Sequence, residues 1–377
     1  MSFSLDAIRR WPDIESPDLP AIDAADRLIL DESAVARAGV GESKLVVIGD
    51  GYGALTLGAA AAAVERGTDA AALDIRVHQD PLTGEQALAA NAERVGLAGT
   101  CRSLPLSAEL VGGAGVVVMR LPRSLEALRE TAGLIAAHAS PDVEVYAGGR
   151  LKHMTLAMND VLREHFDTVD VSHARQKSRV LIARGPHDGC DPQPRRAVHD
   201  GLVVCAFGET FAGTSIDIGT RLLLESLPVD IPSDDAVVDM ACGSGVVAAW
   251  LARRHPELRV YATDQSAAAV ASARATVEAN GVGDRITVER DDALSLVPDA
   301  SATLIALNPP FHLGGAIHEG IAPRLFADAA RVLRPGGELW TVWNSTLFYR
   351  PALERLVGPT RQVARNAKFT VTASVKG

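Results

Sequence analysis

The feature that most constrains the fold of this 377-residue chain is an internal repeat of a strand that runs into glycines. The segment 45–53, Leu-Val-Val-Ile-Gly-Asp-Gly-Tyr-Gly, is followed 192 positions later by the segment 237–245, Val-Val-Asp-Met-Ala-Cys-Gly-Ser-Gly. In each half a helix pattern, a second strand and a second helix follow in the same order. Strands that alternate with helices predict mostly parallel sheets with helices on both faces. The sequence therefore predicts two Rossmann-like α/β domains in tandem.

The repeat continues to the end of each half, where further strand patterns close the unit. The run 179–185 matches the run 371–377, again 192 positions later, and the closing strands indicate an antiparallel edge on each sheet. A stretch rich in proline and glycine separates the halves, as is typical of a linker. We therefore predict a first domain over residues 1–185, a linker over 186–200 and a second domain over 201–377.

The two halves are chemically unequal. Where the second half has Asn-Pro-Pro-Phe at 308–311, we align the first half's Leu-Pro-Arg-Ser at 121–124. Where the second half has Asp239 before its glycines, the first has Val47. We infer that the first half kept the scaffold and lost the reaction, so that it serves substrate docking or acts only as a structural partner.

The composition excludes several classes of protein. With 47% hydrophobic and 22% charged residues, the chain is typical of a folded globular protein. No apolar run approaches the ~20 residues that a membrane span needs, and the first twenty residues lack the apolar core of a secretory signal. We expect a cytoplasmic protein with no membrane partner. The net charge of −10 argues against non-specific nucleic-acid binding.

One local stretch is basic within this acidic chain. Residues 175–196 contain six Lys or Arg and two Asp residues. We predict that Arg175, Lys177 and Arg179 contact a nucleic-acid substrate. The alternative is a solvated strand edge followed by a linker.

The cysteines favour neither zinc nor disulfides. Cys101, Cys190, Cys205 and Cys242 include no C-x-x-C pair, and none has a histidine at ligand spacing. We expect free thiols and no metal site.

The ends of the first three strands in the second half form a candidate cofactor site. Gly243 and Gly245 let the backbone approach a ligand at the start of a helix, although a lone Gly-x-Gly also occurs in plain turns. Asp264 can accept hydrogen bonds from ribose hydroxyls or cap the next helix. Asp292, which we prefer to Asp291, can accept from an adenine amino group or cap a loop. The candidate cofactor-binding residues are Asp239, Ala241, Gly243, Gly245, Asp264, Gln265, Asp292, Ala293 and Asn308.

The segment 308–312, Asn-Pro-Pro-Phe-His, follows the fourth strand of the second half and is the candidate catalytic loop. The Asn308 oxygen and the Pro309 carbonyl can accept both N–H groups of an exocyclic amine and aim its lone pair. Pro310 stiffens the loop, and Phe311 offers a face for stacking a base. His312 can hydrogen-bond the substrate or brace the loop. An ordinary Asn-Pro turn is the alternative.

These motifs resemble those of class I S-adenosylmethionine-dependent methyltransferases, and more narrowly those of the ribosomal RNA guanine-N2 methyltransferases. That family has two methyltransferase-like domains in tandem, the first degenerate and the second active. The segment 211–221 is similar to the family's sequence before the cofactor strand, and 308–312 matches its catalytic loop. In the first half, 9–12, 49–55 and 120–124 resemble the large-subunit branch.

The resemblance implies methyl transfer from S-adenosylmethionine to the N2 amine of a guanine in 23S rRNA. The 16S rRNA branch shares the second-half motifs and remains open. Methylation of another planar amine or amide, such as a protein glutamine or a DNA adenine, is a second alternative. A non-catalytic RNA-binding factor is a third. We expect the enzyme to be a monomer.

Overall fold

The computed structural model divides into two units, Met1–Gln193 and Pro194–Gly377. It describes residues 3–41, 44–232, 236–310, 312–313, 316–317 and 321–377. Each unit is built on one seven-stranded sheet flanked by helices.

The first unit contains seven strands and seven α-helices in the described part of the chain. The strands are β1 (Leu45–Ile48), β2 (Ile75–His78), β3 (Cys101–Ser103), β4 (Val116–Arg120), β5 (Glu144–Arg150), β6 (Phe166–Val171) and β7 (Ser178–Pro186). The helices are α1 (Ala24–Glu32), α2 (Ala34–Gly39), α3 (Ala54–Glu65), α4 (Leu82–Arg94), α5 (Ala108–Val111), α6 (Leu125–His138) and α7 (Leu156–Arg163). Short 3-10 helices cover Leu5–Ala7, Ala70–Ala72 and Leu151–His153.

The first sheet has the strand order β3-β2-β1-β4-β5-β7-β6. The strands from β3 to β5 are parallel, and β7 runs antiparallel between β5 and β6. The central strand β1 is wholly buried because helices cover both faces of the sheet. Its Val47 packs in one apolar core with Leu55, and its Val46 packs in the other with Leu128.

The second unit repeats this arrangement. Its strands are β8 (Arg195–His199), β9 (Leu202–Ala206), β10 (Val237–Met240), β11 (Val260–Asp264), β12 (Ile286–Arg290), β13 (Ala302–Leu307), β14 (His312–Leu313), β15 (Ala316–Ile317), β16 (Leu333–Asn344), β17 (Thr360–Arg365) and β18 (Phe369–Val375). Its helices are α8 (Ile218–Ser226), α9 (Val246–Arg254), α10 (Ala267–Ala279), α11 (Ile321–Val332) and α12 (Arg350–Leu356), with a 3-10 helix at Ser345–Leu347.

The second sheet has the order β12-β11-β10-β13-β16-β18-β17, which is the order of the first sheet position for position. Again the last two strands supply an antiparallel edge, since β18 runs antiparallel to β16 and β17. The strands β8 and β9 form a separate hairpin, and β14 pairs with β15. The predicted fold class, two tandem Rossmann-like domains with antiparallel edges, is confirmed.

The boundary between the two units, after Gln193, falls inside the predicted linker over 186–200, and much of this stretch is bonded to one unit or the other. The backbone N–H groups of His187 and Cys190 donate to carbonyls of His165 and Gly133, so this stretch is bonded to the first unit. Residues 195–199 form β8, whose backbone groups pair with β9. Composition could not predict these backbone hydrogen bonds, because proline and glycine occur in well-packed segments as well as in linkers.

No helix in the described part of the chain is long and apolar enough to cross a membrane.

Candidate active site of the second unit

The carboxyl ends of β10, β11 and β13 meet at one edge of the second sheet because the three strands are parallel. The register pairs Met240 with Thr263 on one side and with Leu307 on the other. The residues that follow, including Ala241, Asp264 and Asn308, therefore leave the sheet side by side. This edge gathers the main candidates that the sequence predicted in the second half.

The turn after β10 holds three residues with positive φ angles. They are Ala241 (56°), Gly243 (54°) and Gly245 (73°). The Gly245 N–H donates to the carbonyl of Cys242 at 2.8 Å, and the Gly243 N–H donates to Oδ2 of Asp264 at 3.0 Å. The turn is thus tied to the end of β11, and α9 begins directly after it.

The two glycines of this turn serve different purposes. A Cβ on Gly245 would lie 2.9 Å from the Cβ of Ala273, so only glycine lets α10 approach the turn this closely. A Cβ on Gly243 would meet no atom within 4 Å. Open space beside Gly243 is what a ligand that contacts the backbone requires, whereas Gly245 serves packing.

Asp239 lies inside the sheet, on β10. It is 3% exposed, and its Oδ2 accepts the backbone N–H of Ala248 in the first turn of α9 at 2.9 Å. Burial raises the pKa of this carboxyl to about 7, although the Ala248 bond opposes the shift. The Asp239 side chain therefore stabilises the start of α9. This structural role does not depend on a cofactor.

Asp264 ends β11 with both carboxylate oxygens engaged. Oδ1 accepts the N–H of Ser266 at 2.9 Å, and Oδ2 accepts the N–H of Gly243. Ser266, not Asp264, is the N-cap of α10, since its hydroxyl accepts from Ala269 at 3.1 Å. A carboxylate oxygen can accept more than one hydrogen bond, so these two bonds do not by themselves exclude a ligand hydroxyl. The neighbouring Gln265 accepts a bond from the side chain of Arg290 through its carbonyl.

The two aspartates after β12 have separate surroundings. Asp291 is 1% exposed and accepts from the Ser295 hydroxyl and the Leu296 N–H, so it closes its own loop. Asp292 forms an ion pair with Arg324 of α11. The sequence analysis did not identify Arg324, and no local pattern pointed to it. A ligand amine at Asp292 would share this carboxylate with the guanidinium.

Ala293, which follows the pair, contributes backbone geometry. It has a φ of 59°, and its carbonyl accepts the hydroxyl of Thr263 at 2.8 Å. This bond holds the loop after β12 against β11.

Asn308 follows β13 and is oriented by a residue that the sequence analysis left without a role. Its Nδ2 donates to the hydroxyl of Thr220 on α8 at 3.0 Å. Its Oδ1 is shielded from solvent and has no hydrogen-bond partner in the described part of the chain. Because Thr220 engages the NH2 group, this orientation of the amide leaves the oxygen as an acceptor with unused capacity. The segment 211–221 contains Thr220, but only the fold brings it to the loop.

The rest of the predicted loop is described in part. Pro309 is buried and Pro310 is exposed. Phe311 lies outside the described residues. His312 begins β14, whose backbone pairs with that of Ile317.

The three predicted nucleic-acid contacts lie in the first unit, and one is neutralised. Arg175 forms an ion pair with Asp31 at 2.8 Å. Lys177 is exposed with a φ of 59°, and Arg179 is half-buried. The basic stretch over 175–196 is divided between the two units, since Arg195 and Arg196 belong to the second.

The described residues hold no group of three or more His, Cys, Asp or Glu placed to bind a metal ion. All four cysteines are free thiols. Burial raises the pKa of the Cys242 thiol beside the glycine turn well above its usual value, so this side chain stays protonated.

The comparisons with known proteins agree with this geometry. The methyltransferase small domain family matches residues 201–373, and the RLMG N-terminal domain family matches residues 2–187. A T. thermophilus 16S rRNA N2 G1207 methyltransferase, solved in complex with AdoMet and guanosine, has a similar fold. Its TM-score is 0.72 at 20% identity, covering 94% of this chain and 92% of that one. The fold and the site define a two-domain class I methyltransferase.

Full-length relatives give the family within that class. The chain is 33% identical to "Ribosomal RNA large subunit methyltransferase G" of Shewanella amazonensis, over 98% of this chain and 96% of the relative. The protein of that name from Pseudomonas aeruginosa is 32% identical over 99% and 97%, and the one from Streptomyces avermitilis 33% over 98% and 97%. The chain belongs to the ribosomal RNA large subunit methyltransferase G family.

Proposed function

We propose that the protein transfers the methyl group of S-adenosylmethionine to the exocyclic N2 amine of a guanine in 23S rRNA. The names of its relatives support a large-subunit rRNA as the substrate. One observation carries the chemistry: the Oδ1 of Asn308 is a buried acceptor without a partner among the described residues, at the edge where the glycine turn lies. Such an acceptor binds an N–H group, and the exocyclic amine of guanine supplies one.

The residues at this edge fit the cofactor. The open space beside Gly243 admits a ligand to the backbone, and a carboxylate in the position of Asp264 is suited to accept from ribose hydroxyls. Asp292 would bind the adenine amine, with Arg324 adjusting to share its carboxylate. Ala241, Gln265 and Ala293 would line the site through their backbones. When bound, the cofactor supplies an electrophilic methyl group on a sulfonium.

The role of the protein in the transfer is alignment. The guanine amine is a weak nucleophile because its lone pair is delocalised into the ring. If Asn308 Oδ1 and the Pro309 carbonyl accept its two N–H groups, the nitrogen becomes more tetrahedral and its lone pair points at the methyl group. The new N–C bond forms as the S–C bond breaks, and the cationic nitrogen then loses one proton to water. Because Oδ1 of Asn308 is shielded from solvent, the guanine amine can reach it only by entering a space from which the protein excludes water.

The first unit would dock the RNA. A basic surface lies at the carboxyl edge of its sheet and comprises Arg123, Arg150, Lys152 and Lys177. The Leu151 N–H donates to the Lys177 carbonyl at 2.9 Å, which places Lys152 and Lys177 on neighbouring turns. Neither lysine has a carboxylate partner within the described ranges. Of the predicted trio of Arg175, Lys177 and Arg179, Lys177 belongs to this docking surface, while Arg175 pairs with Asp31.

The alternatives have less support. The 16S rRNA acceptor is named for the T. thermophilus neighbour, which is only 20% identical. If the acceptor were a protein glutamine or a DNA adenine, the match of the first unit to the RLMG N-terminal domain family would have no explanation. A non-catalytic RNA-binding factor would not need the unpartnered amide oxygen of Asn308. We further infer that the enzyme acts as a monomer in the cytoplasm, where its substrate is made.

The test is methyl transfer from labelled S-adenosylmethionine to deproteinised 23S and 16S rRNA, followed by mass spectrometry of the nucleosides. We expect N2-methylguanine in 23S rRNA only. Asn308→Ala should lower the rate by about 100-fold, as does loss of one preorganised hydrogen-bonding group at an active site. Cofactor affinity, measured by calorimetry, should change little. Label in 16S rRNA, in protein or at another atom of guanine would overturn the proposal.

A further inference from the structure

Phe348 combines two features that protein folding does not explain. It is a large aromatic side chain with 78% of its surface exposed. It also has φ 49° and ψ 44°, the left-handed region that favours glycine and asparagine and strains other residues. Asparagine at this position would relieve the strain. Because most of the Phe348 ring is exposed, the exchange would remove little buried apolar surface. Strained residues of this kind cluster at functional sites.

The residues on both sides of Phe348 hold it firmly in this position. Tyr349 is buried, with its ring centroid 5.5 Å from that of Phe326 and 6.2 Å from that of Trp343. Ser345 is bonded through its N–H to the Lys368 carbonyl and through its hydroxyl to Thr370, both at 2.8 Å. The Phe348 side chain is therefore presented outward by a fixed turn.

This turn lies at the edge of the sheet that carries the candidate active site. The strand β16 is parallel to β13, with Thr341 beside Leu307, so Phe348 and Asn308 follow the same end of the sheet. The two residues are also linked through α8. Gly219 of α8 packs close to the ring of Phe369, since a Cβ on this glycine would lie 3.2 Å from that ring. The next residue of α8, Thr220, forms the hydrogen bond to Asn308.

Positive charge accompanies the exposed ring. Lys368 and Arg365 are both exposed, and within the described ranges neither has a carboxylate partner. The Lys368 Nζ lies 5.4 Å from the centroid of the Phe369 ring, so it stays near the turn. An exposed aromatic face beside unpaired cations is the combination that binds single-stranded nucleic acid, through base stacking and phosphate contacts.

We propose that Phe348 stacks on a nucleobase next to the target guanine, while Lys368 and Arg365 contact the phosphates of that strand. This proposal rests on the proposed function, since it assigns the flanking nucleotide of the same RNA substrate. Stacking on a π-face tolerates any base, so the site would hold the strand without reading its sequence. A protein surface is the competing occupant, and the test separates the two.

The test measures RNA affinity by fluorescence anisotropy, with the full-length protein bound to S-adenosylhomocysteine. The probe is a short single-stranded oligoribonucleotide with one guanine in a run of uridines. Phe348→Asn should weaken binding about tenfold, which corresponds to ~1.4 kcal/mol and lies within the range for one stacked base. Phe348→Tyr should bind as the wild type does. The matched control is Val229→Asn, an exposed apolar residue of the same unit, 67% exposed, in the segment before β10.

A second probe, with abasic sites on both sides of the guanine, isolates the stacking contact. The wild type should lose about tenfold in affinity for this probe, whereas Phe348→Asn should lose almost nothing. Phe348→Asn should also raise the melting temperature, because it relieves the strained backbone. Equal losses for both proteins, or an unchanged affinity of Phe348→Asn for the first probe, would overturn the proposal and favour a protein occupant. Binding is measured without catalysis, so an absence of methyl transfer would count only against the proposed function.

Discussion

The hydrogen bond between Thr220 and Asn308 gives the sharpest perturbation of the proposed mechanism. Thr220→Val keeps the shape of the side chain and removes the hydroxyl that accepts from Nδ2 of Asn308 at 3.0 Å. The amide loses the hydrogen bond that holds it in this orientation. In the flipped orientation the NH2 group would face the substrate amine and repel its N–H groups.

The size of the effect follows from the energy of one hydrogen bond. A net contribution of ~1–1.5 kcal/mol for the lost bond limits the loss of transition-state stabilisation to about 5- to 10-fold in rate. This is smaller than the ~100-fold expected for Asn308→Ala, which removes the acceptor itself. Thr220→Ser keeps the hydroxyl and should retain nearly the full rate.

The assay is single-turnover methyl transfer to 23S rRNA at saturating cofactor and enzyme. We expect the rate constant to fall for Thr220→Val while the dissociation constants for rRNA and S-adenosylmethionine stay near those of the wild type. A role limited to packing would affect Ser and Val variants alike or would change stability without changing the rate. A wild-type rate for Thr220→Val would refute the orientation argument.

Two further predictions concern the glycine turn and the buried carboxyl beneath it. Burial raises the pKa of Asp239 to about 7 from 3.8, so the folded protein binds a proton that the unfolded chain releases, and stability falls as the pH rises between these values. Asp239→Asn should remove about 2–3 kcal/mol of this fall between pH 5 and pH 8, measured as the difference between the variant and the wild type in urea unfolding at the two pH values; parallel pH profiles would contradict it. Gly245→Ala should destabilise the protein by about 2–4 kcal/mol through backbone strain and the clash with Ala273. Gly243→Ala should cost only ~1–2 kcal/mol of stability yet abolish calorimetric binding of S-adenosylmethionine, because its Cβ would fill the open space; the reverse pattern would show that the two glycines have been assigned wrongly.

The sequence predicted the elements around the site closely because their signals are local. The helix that follows the second glycine turn is α9 (Val246–Arg254), which begins after the left-handed Gly245. The second helix of that half is α10 (Ala267–Ala279), which follows the second strand as the pattern predicts. Because the same order of elements occurs in both halves, each half supported the prediction of two tandem Rossmann-like domains.

Contacts between distant segments could not be predicted in this way. Thr220 and Asn308 are 88 positions apart, and Asp292 and Arg324 are 32 positions apart. Neither pair follows a periodicity or a spacing rule, because tertiary packing alone brings them together. The hairpin of β8 and β9 was half missed for a related reason, since five of its residues lie in a stretch whose prolines resemble those of a linker.

The aligned positions of the two sheets explain why the first unit would lack the reaction. Met119 and Leu307 hold equivalent places beside the central strands, so Arg120, and not Leu121 as we expected from the sequence, is the counterpart of Asn308. Arg120 is bound by Asp23 and Asp26 at 2.7 and 2.8 Å, at the start of α1. A guanidinium only donates hydrogen bonds, so it cannot accept those of an amine.

The edge of the first sheet that corresponds to the candidate cofactor site also carries different side chains from those of the second unit. Register pairs Ile48 with His78, so Gln79 stands where Asp264 stands in the second unit. The Gln79 side chain donates to the carbonyl of Asp50, whereas Asp264 accepts from the corresponding turn. Where the second unit has Cys242, the first has Asp50, whose Oδ2 accepts from the N–H and hydroxyl of Thr56 and whose Oδ1 accepts from the N–H of Gly53. In the first unit both side chains therefore stabilise the glycine turn itself, so the scaffold could persist without the chemistry.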